Sequence, residues 1–207
     1  IPTAGEKPGA GYKAGAWGTA PSVDTALNAD TTYVYTYAVD NKEITYKVPD
    51  GSDTDNAPDE KKEDVQATKK ILIDPNGGTY GGTTGTTELT VSAAATIADP
   101  TWENHVFMGW TRSSETDYAF KLTATWKADA KGNPADPENK GDGIPDEDQK
   151  KVTFRVVNGK WNDDTDGDKT VYVTLFDANG QWSSTGTGKL KTGEIPTAGE
   201  KPGAGYK

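Results

Sequence analysis

The stretch KKILIDPNGG at residues 69–78 contains the two signals that set the fold class. The apolar run at 71–73 is short and bounded by turn residues, as in a buried β-strand. The pair Asn76-Gly77 follows, and both residue types tolerate the positive φ that tight turns between strands require. The stretch therefore predicts a strand that ends in a tight turn.

The same pattern recurs along the chain. Alternation in KLTATWKA places Leu122, Ala124 and Trp126 on one face of a strand. Further strands are predicted in TTYVYTYAV (31–39), TELTVSA (87–93), HVFMGWT (105–111), KVTFRVV (151–157) and KTVYVTLF (169–176). Only residues 92–98 suggest a short helix, so the sequence predicts a mostly β protein built from small modules.

Charge and composition limit the possible partners. Asp and Glu number 32 against 22 Lys and Arg, which gives a net charge of −10. Nucleic acids and anionic membranes require a basic surface, so both are disfavoured as partners. No apolar run reaches membrane-spanning length, which argues against direct membrane insertion. The absence of cysteine excludes a disulfide framework and a thiolate metal site.

One segment occurs twice. IPTAGEKPGAGYK stands at residues 1–13 and again, unchanged, at residues 195–207, a spacing of 194 positions. The simplest interpretation is a tandem array with a 194-residue unit. We expect five parts: the second half of a module at 1–40, an acidic linker at 41–67, an intact module at 68–128, an acidic linker at 129–149 and the first half of a module at 150–207.

The central part carries a family resemblance. The ordered motifs ILIDPNGGTYGG, TELTVS, FMGWT and LTATWKA, within residues 69–128, resemble the Listeria-Bacteroides repeat, also called the internalin B-type repeat. This resemblance implies a compact β-grasp-like module that occurs in tandem in large bacterial surface proteins. It also implies a non-enzymatic role in surface display and host contact. The segments VTFRVVNGKW and GYKAGAW resemble a companion repeat of the same proteins.

Enzymatic interpretations find little support in the residues. His105 is the only histidine, and no serine or carboxylate stands near it at the spacing of a known triad motif. The glycine-rich stretch GGTYGGTTGTT lacks the lysine and the helix of a phosphate-binding loop. The abundant carboxylates cluster in the expected linkers, which offer no dry pocket for acid–base chemistry. We therefore expect a protein that is not an enzyme.

Calcium is the one cofactor for which the sequence offers an argument. The two acidic stretches align in part with an EF-type loop, whose oxygen ligands alternate around a central glycine. Lys140 and Gln149 occupy two positions where that loop carries charged carboxylate ligands, so solvated acidic linkers remain the alternative to weak calcium binding. The candidate ligands are Glu138, Asp142, Asp146, Asp53, Asp55 and Asp59.

The tryptophans allow two functional interpretations. Trp17, Trp110 and Trp126 are expected in module cores, since small β modules gain buried area from large aromatic side chains. The first interpretation is a structural and adhesive tandem-repeat segment of an extracellular bacterial surface protein or filament. Its partners would be neighbouring repeats, head to tail, and a host protein or glycan. The two half-modules could instead complete each other within one chain. The alternative is a carbohydrate-binding module that uses exposed Trp161, Trp182 or Trp102.

Overall fold

A computed structural model describes residues 1–49, 56–130 and 141–207. The described residues form two compact units. Unit 1 contains residues of Ile1–Val48, Asp59–Pro100 and Trp110–Ala124, and unit 2 contains residues of Pro49–Pro58, Thr101–Gly109 and Thr125–Lys207. Residues of the expected intact module at 68–128 therefore fall in both units. In the described residues, no helix has the length and apolar character needed to span a membrane.

The described residues contain strands and no α-helix, which confirms a mostly β protein. Its β-grasp character and its arrangement as an array stay predictions. The strands are β1 Tyr12–Trp17, β2 Tyr35–Val39, β3 Asn41–Val48, β4 Asp59–Gln66, β5 Lys70–Asp74, β6 Thr87–Thr90, β7 Ala95–Thr96, β8 His105–Ser113, β9 Phe120–Ala128, β10 Gln149–Phe154, β11 Gly159–Trp161, β12 Lys169–Thr174 and β13 Ala198–Pro202.

These strands form five small sheets. Their orders are β1-β2, β4-β3-β7, β6-β5-β9-β8, β10-β12 and β11-β13. Most neighbours are antiparallel, but β5 pairs with β9 in parallel and β3 pairs with β7 in parallel. Asn76 and Gly77 have φ values of 47° and 96° after β5, which confirms the predicted tight turn.

The expected acidic linker at 41–67 is wrong over most of its length. β3 and β4 pair antiparallel along their full lengths, from Asn41 opposite Gln66 to Val48 opposite Asp59. The physical reason lies in the alternation of KEITYKV, which turns Ile44 and Tyr46 to one face, where both are fully buried. Charge dominated the sequence pattern, but these apolar residues determine the structure.

The expected short helix at 92–98 is also wrong. Its residues include β7, which pairs with Ile44 and Thr45 of β3, and Ile97 continues this contact by donating its backbone N–H to the Thr45 carbonyl. An alanine run has high helix propensity, but tertiary pairing overrides propensity in so short a segment. The sheet therefore gains a parallel edge strand.

Buried apolar residues are concentrated in unit 1. Trp110 and Leu122 have no exposed surface, and Phe120 and Ala124 are nearly as buried. The Tyr46 ring lies 5.8 Å from the Phe120 ring, so the β3–β4 hairpin packs on this core. In unit 2 the described buried apolar side chains are fewer: Trp161, Val173 and Leu175.

Candidate functional site

A groove in unit 2 contains two tryptophans. Trp126 lies on β9, and Trp182 follows the turn formed by Asn179-Gly180. The backbone N–H of Trp182 donates to the side-chain oxygen of Asn56 at 2.5 Å, which fixes this stretch of chain. The groove has a volume of about 450 Å³, and its lining includes Asn56, Met108, Trp126, Asp148, Gln181 and Trp182.

A buried carboxylate stands in this groove. Asp148 ends the short 3-10 turn Asp146–Asp148 and is 2% exposed. Its Oδ2 atom accepts no hydrogen bond, and the ammonium of Lys127 lies 3.5 Å away. Burial lowers the pKa of Lys127, but a hydrogen bond to Glu147 and the charge of Asp148 outweigh it, so the pKa is raised overall. The groove thus combines aromatic faces with the ammonium of Lys127, which is paired with a buried carboxylate.

The other aromatic residues of unit 2 differ in exposure. Trp102 is 39% exposed, and its ring stacks on the His105 ring at 3.7 Å. Trp126 meets the rings of Trp102 and Phe107 edge to face, and is half-buried rather than a fully buried core residue. Trp161 is only 5% exposed and donates its indole N–H to the Gly167 carbonyl. Trp161 therefore cannot present its face to a sugar, whereas Trp102 and Trp182 keep partial exposure.

The candidate calcium ligands are only partly described. Asp53, Asp55 and Glu138 lie outside the described residues. Asp142 accepts a hydrogen bond from the Gln149 side chain at 2.7 Å, Asp146 begins the 3-10 turn, and Asp59 begins β4. Across residues 1–49, 56–130 and 141–207, no three acidic or histidine side chains come together in a group that could hold a metal ion. Calcium binding stays a prediction.

A second buried carboxylate organises the chain beside Asp142. Asp129 is 5% exposed and accepts backbone hydrogen bonds from Asp142 and Gly143 at 3.0 and 2.9 Å. Burial raises the pKa of Asp129, and these two hydrogen bonds oppose the rise without cancelling it. These two hydrogen bonds hold Asp142 and Gly143 beside the end of β9.

The two copies of the repeated segment adopt the same local turn. Tyr12 N–H donates to the Gly9 carbonyl at 3.0 Å, and Tyr206 N–H donates to the Gly203 carbonyl at the same distance. Gly11 and its counterpart Gly205 have φ values of 80° and 84°. The shared sequence thus determines a shared local conformation.

The partners of the two copies differ. The first copy leads into β1, which pairs with β2 from Tyr12 opposite Val39 to Trp17 opposite Tyr35. The second copy forms β13, which pairs with β11 from Gly159 opposite Pro202 to Trp161 opposite Ala198. One sequence therefore binds two different β surfaces, and each surface uses a different part of it.

Part of these surfaces can be predicted from the sequence. Trp182 stands beside the turn residues Asn179-Gly180, and the recurrence of IPTAGEKPGAGYK marks the repeated segment. The sequence does not single out Asp148, Gln181 and Asn56, because nothing in their local sequence distinguishes them from the surrounding acidic and turn residues.

No family model matches the chain, and no curated protein or solved structure matches it either. The resemblance of residues 69–128 to the internalin B-type repeat therefore stays a prediction.

Proposed function

We propose that this chain is a structural and adhesive repeat segment of an extracellular bacterial surface protein or filament. Its modules act as spacers, and the segment shared by its two ends mediates contact between neighbouring repeats. One observation carries the proposal: the thirteen-residue segment forms the same turn at both places and pairs with a different strand at each. In repeat proteins each repeat contacts its neighbours, so a segment that pairs with two different strands could connect adjacent repeats.

The cellular setting can be tested directly. An antibody raised against the 207-residue chain is applied to intact and to lysed cells of the source organism. The proposal expects labelling of intact cells, and brief protease treatment of those cells should remove it. An antibody against a cytosolic protein serves as the control for leakage. Labelling that appears only after lysis would contradict an extracellular role.

The groove favours a second candidate function, the binding of a glycan. Trp126 and Trp182 line it together with Asp148 and Gln181, and sugar sites combine aromatic faces with a few fixed polar groups. The half-buried Trp182 and Gln181 side chains would offer an aromatic face and an amide to a sugar, while the buried Asp148 carboxylate holds the Lys127 ammonium at 3.5 Å. This candidate relies on Trp182 in place of the buried Trp161.

The second candidate predicts specific losses on a glycan array. Trp182→Ala should abolish any glycan signal of the wild-type chain, because it removes an aromatic face of the groove. Trp17→Ala, which changes a tryptophan outside the groove, is the matched control and should leave the signal unchanged. A wild-type chain that binds no glycan, or a Trp182→Ala chain that binds as well as wild type, would reject this function.

A further inference from the structure

Glycine is required at different positions in the two copies of the repeated segment. A Cβ atom at Gly203 would lie 2.8 Å from the Asn158 carbonyl oxygen, closer than real Cβ contacts allow. At the matching Gly9, the nearest atom to such a Cβ is Tyr12 Cδ2 at 3.8 Å, an ordinary contact. Gly9 has no positive φ. In its own surroundings Gly9 could therefore be alanine, which would restrict the unfolded chain and stabilise the fold.

At the glycine two residues later, the first copy is the crowded one and the second copy is not. A Cβ atom at Gly11 would lie 2.6 Å from the Ala67 carbonyl oxygen and 2.9 Å from Gln66 Nε2. At the matching Gly205, no atom lies within 4 Å of the Cβ position. The crowded positions are thus complementary. The first copy is crowded at Gly11, and the second copy is crowded at Gly203, the counterpart of Gly9.

The hydrogen-bonding groups are complementary as well. In the first copy the Gly11 carbonyl accepts from Asp40 N–H at 2.9 Å and from Gln66 Nε2 at 3.1 Å. In the second copy Gly203 N–H donates to the Asn158 carbonyl at 2.7 Å, and the Thr197 carbonyl accepts from Asn162 N–H at 3.1 Å. These groups belong to different positions of the segment, so none of them would be needed twice. Docking on β11 would, however, replace one contact of the first copy, the hydrogen bond from Gly5 N–H to the Tyr37 hydroxyl at 3.4 Å.

We propose that a single IPTAGEKPGAGYK segment binds both surfaces at once and thereby joins two copies of this chain. Residues 3–9 of one copy occupy β11 of a second copy, while residues 11–13 keep their contacts with Asp40, Gln66 and β2 of their own copy. This inference rests on the proposed role as a repeat segment and names the partner: a second copy of the same chain. It also explains why Gly9 is glycine.

Charge supports the same docking. Asp164, which follows β11 in the sequence, forms an ion pair with Lys201 of the second copy at 3.0 Å. Lys7 is the counterpart of Lys201, so an incoming segment would bring the same cation to the same carboxylate. In the single chain, residues 195–207 already occupy β11, and an incoming segment must displace them.

The test uses full chains and engineered cysteines, since the protein has no cysteine of its own. Lys160 lies opposite Lys201 in the β11–β13 pair, and directly opposed residues of antiparallel strands are near enough for a disulfide. The acceptor chain carries Lys160→Cys, together with Gly203→Ala to weaken its own β13 through the clash with Asn158. The donor chain carries Lys7→Cys. The two are mixed and oxidised, and the disulfide between them is identified by the mass of the linked peptides.

The expected result is a donor–acceptor disulfide whose yield falls at least about tenfold when the donor also carries Gly9→Ala, because the added methyl group clashes with Asn158 of the acceptor. A donor with Val23→Cys, at an exposed position, measures random collision. Opening of β11 is verified by a lowered intrachain disulfide yield in a Lys160→Cys, Lys201→Cys chain with Gly203→Ala. If Gly203→Ala leaves that intrachain yield unchanged, the acceptor carries the larger substitution Gly203→Val instead.

Two outcomes would overturn the inference. One is a disulfide yield with Lys7→Cys no higher than with Val23→Cys. The other is a yield that Gly9→Ala leaves unchanged. Either outcome leaves the antibody labelling of intact cells unaffected, so failure of this docking can be distinguished from failure of the extracellular role.

Discussion

At the scale of single residues, the tryptophans of this chain have different roles despite similar sequence contexts. Trp110 is fully buried and meets the Tyr80 ring edge to face at 5.8 Å. Trp126 was expected to be equally buried, but it is half-buried and lines the groove of unit 2. Trp110 therefore stabilises the core, whereas Trp126 forms part of a surface groove.

Truncation should reveal this difference. We expect Trp110→Ala to lower the free energy of unfolding by roughly 3 to 5 kcal/mol, the range for a large aromatic residue removed from a core. Trp126→Ala should cost less, on the order of 1 to 2 kcal/mol, since it removes edge-to-face contacts at a partly exposed site. Urea unfolding followed by circular dichroism measures both. Equal losses for the two variants would contradict the assignment.

Asp129 predicts a pH dependence. Burial raises its pKa above the ordinary value of 3.8. A carboxyl group with a raised pKa in the folded state contributes stability that is fully present below its unfolded pKa and is lost as pH rises through the folded pKa. The difference in unfolding free energy between wild type and Asp129→Asn should therefore become less favourable to wild type between pH 3.5 and pH 7. Urea midpoints at several pH values test this, and a change of opposite sign would refute it.

At the scale of elements, the β3–β4 hairpin is the main departure from the sequence interpretation. The segment is rich in Lys, Glu and Asp, so it was expected to be solvated and extended. Its charges instead lie along the outer part of a strand pair, where Lys62 bonds to Glu43 and Arg112 bonds to Glu63. Tyr46 donates its hydroxyl to the same Glu63 carboxylate, and burial raises the pKa of this tyrosine.

A substitution in β3 tests whether this hairpin belongs to the folded core. Ile44→Ala should lower the free energy of unfolding by about 2 to 5 kcal/mol, because Ile44 is fully buried. Lys62→Ala on the neighbouring strand is the matched control and should leave the free energy of unfolding nearly unchanged, since its ion pair with Glu43 is exposed and screened by solvent. If residues 41–67 were a solvated linker, Ile44→Ala would leave the free energy of unfolding unchanged.

The sequence could predict strands where apolar alternation and a turn signal coincide. KKILI before Asn76-Gly77 became β5, and KLTATWKA became most of β9. The high charge of residues 41–67 obscured the alternation of KEITYKV in β3, although that signal is local. The sequence could not predict β7, because its two residues pair with β3, which lies far away along the chain. The same limit applies to the groove, whose members Asn56, Asp148 and Gln181 converge only after folding.

At the scale of the whole molecule, the repeated segment pairs with a different strand at each of its two places, and it is crowded at Gly11 in one and at Gly203 in the other. Under the docking proposed above, one segment would serve both surfaces. A contact of this kind is heterologous and need not close on itself, so it would propagate along a line of repeats. Repeat number would then set the length of the filament.

Amide hydrogen exchange on a tandem chain, in which residues 1–194 are followed directly by residues 1–207, tests this claim most directly. At the junction of the two repeats, a single IPTAGEKPGAGYK segment stands between two surfaces. The proposed docking predicts that Gly9 N–H and Asp40 N–H of the second repeat are both protected, because Gly9 donates to Asn158 of the first repeat while Asp40 donates to its own Gly11 carbonyl. Gly9 N–H of the first repeat, which no repeat precedes in this chain, is the control and should exchange fast. Equal exchange of the two Gly9 amides, or loss of Asp40 protection in the second repeat, would contradict the proposed docking.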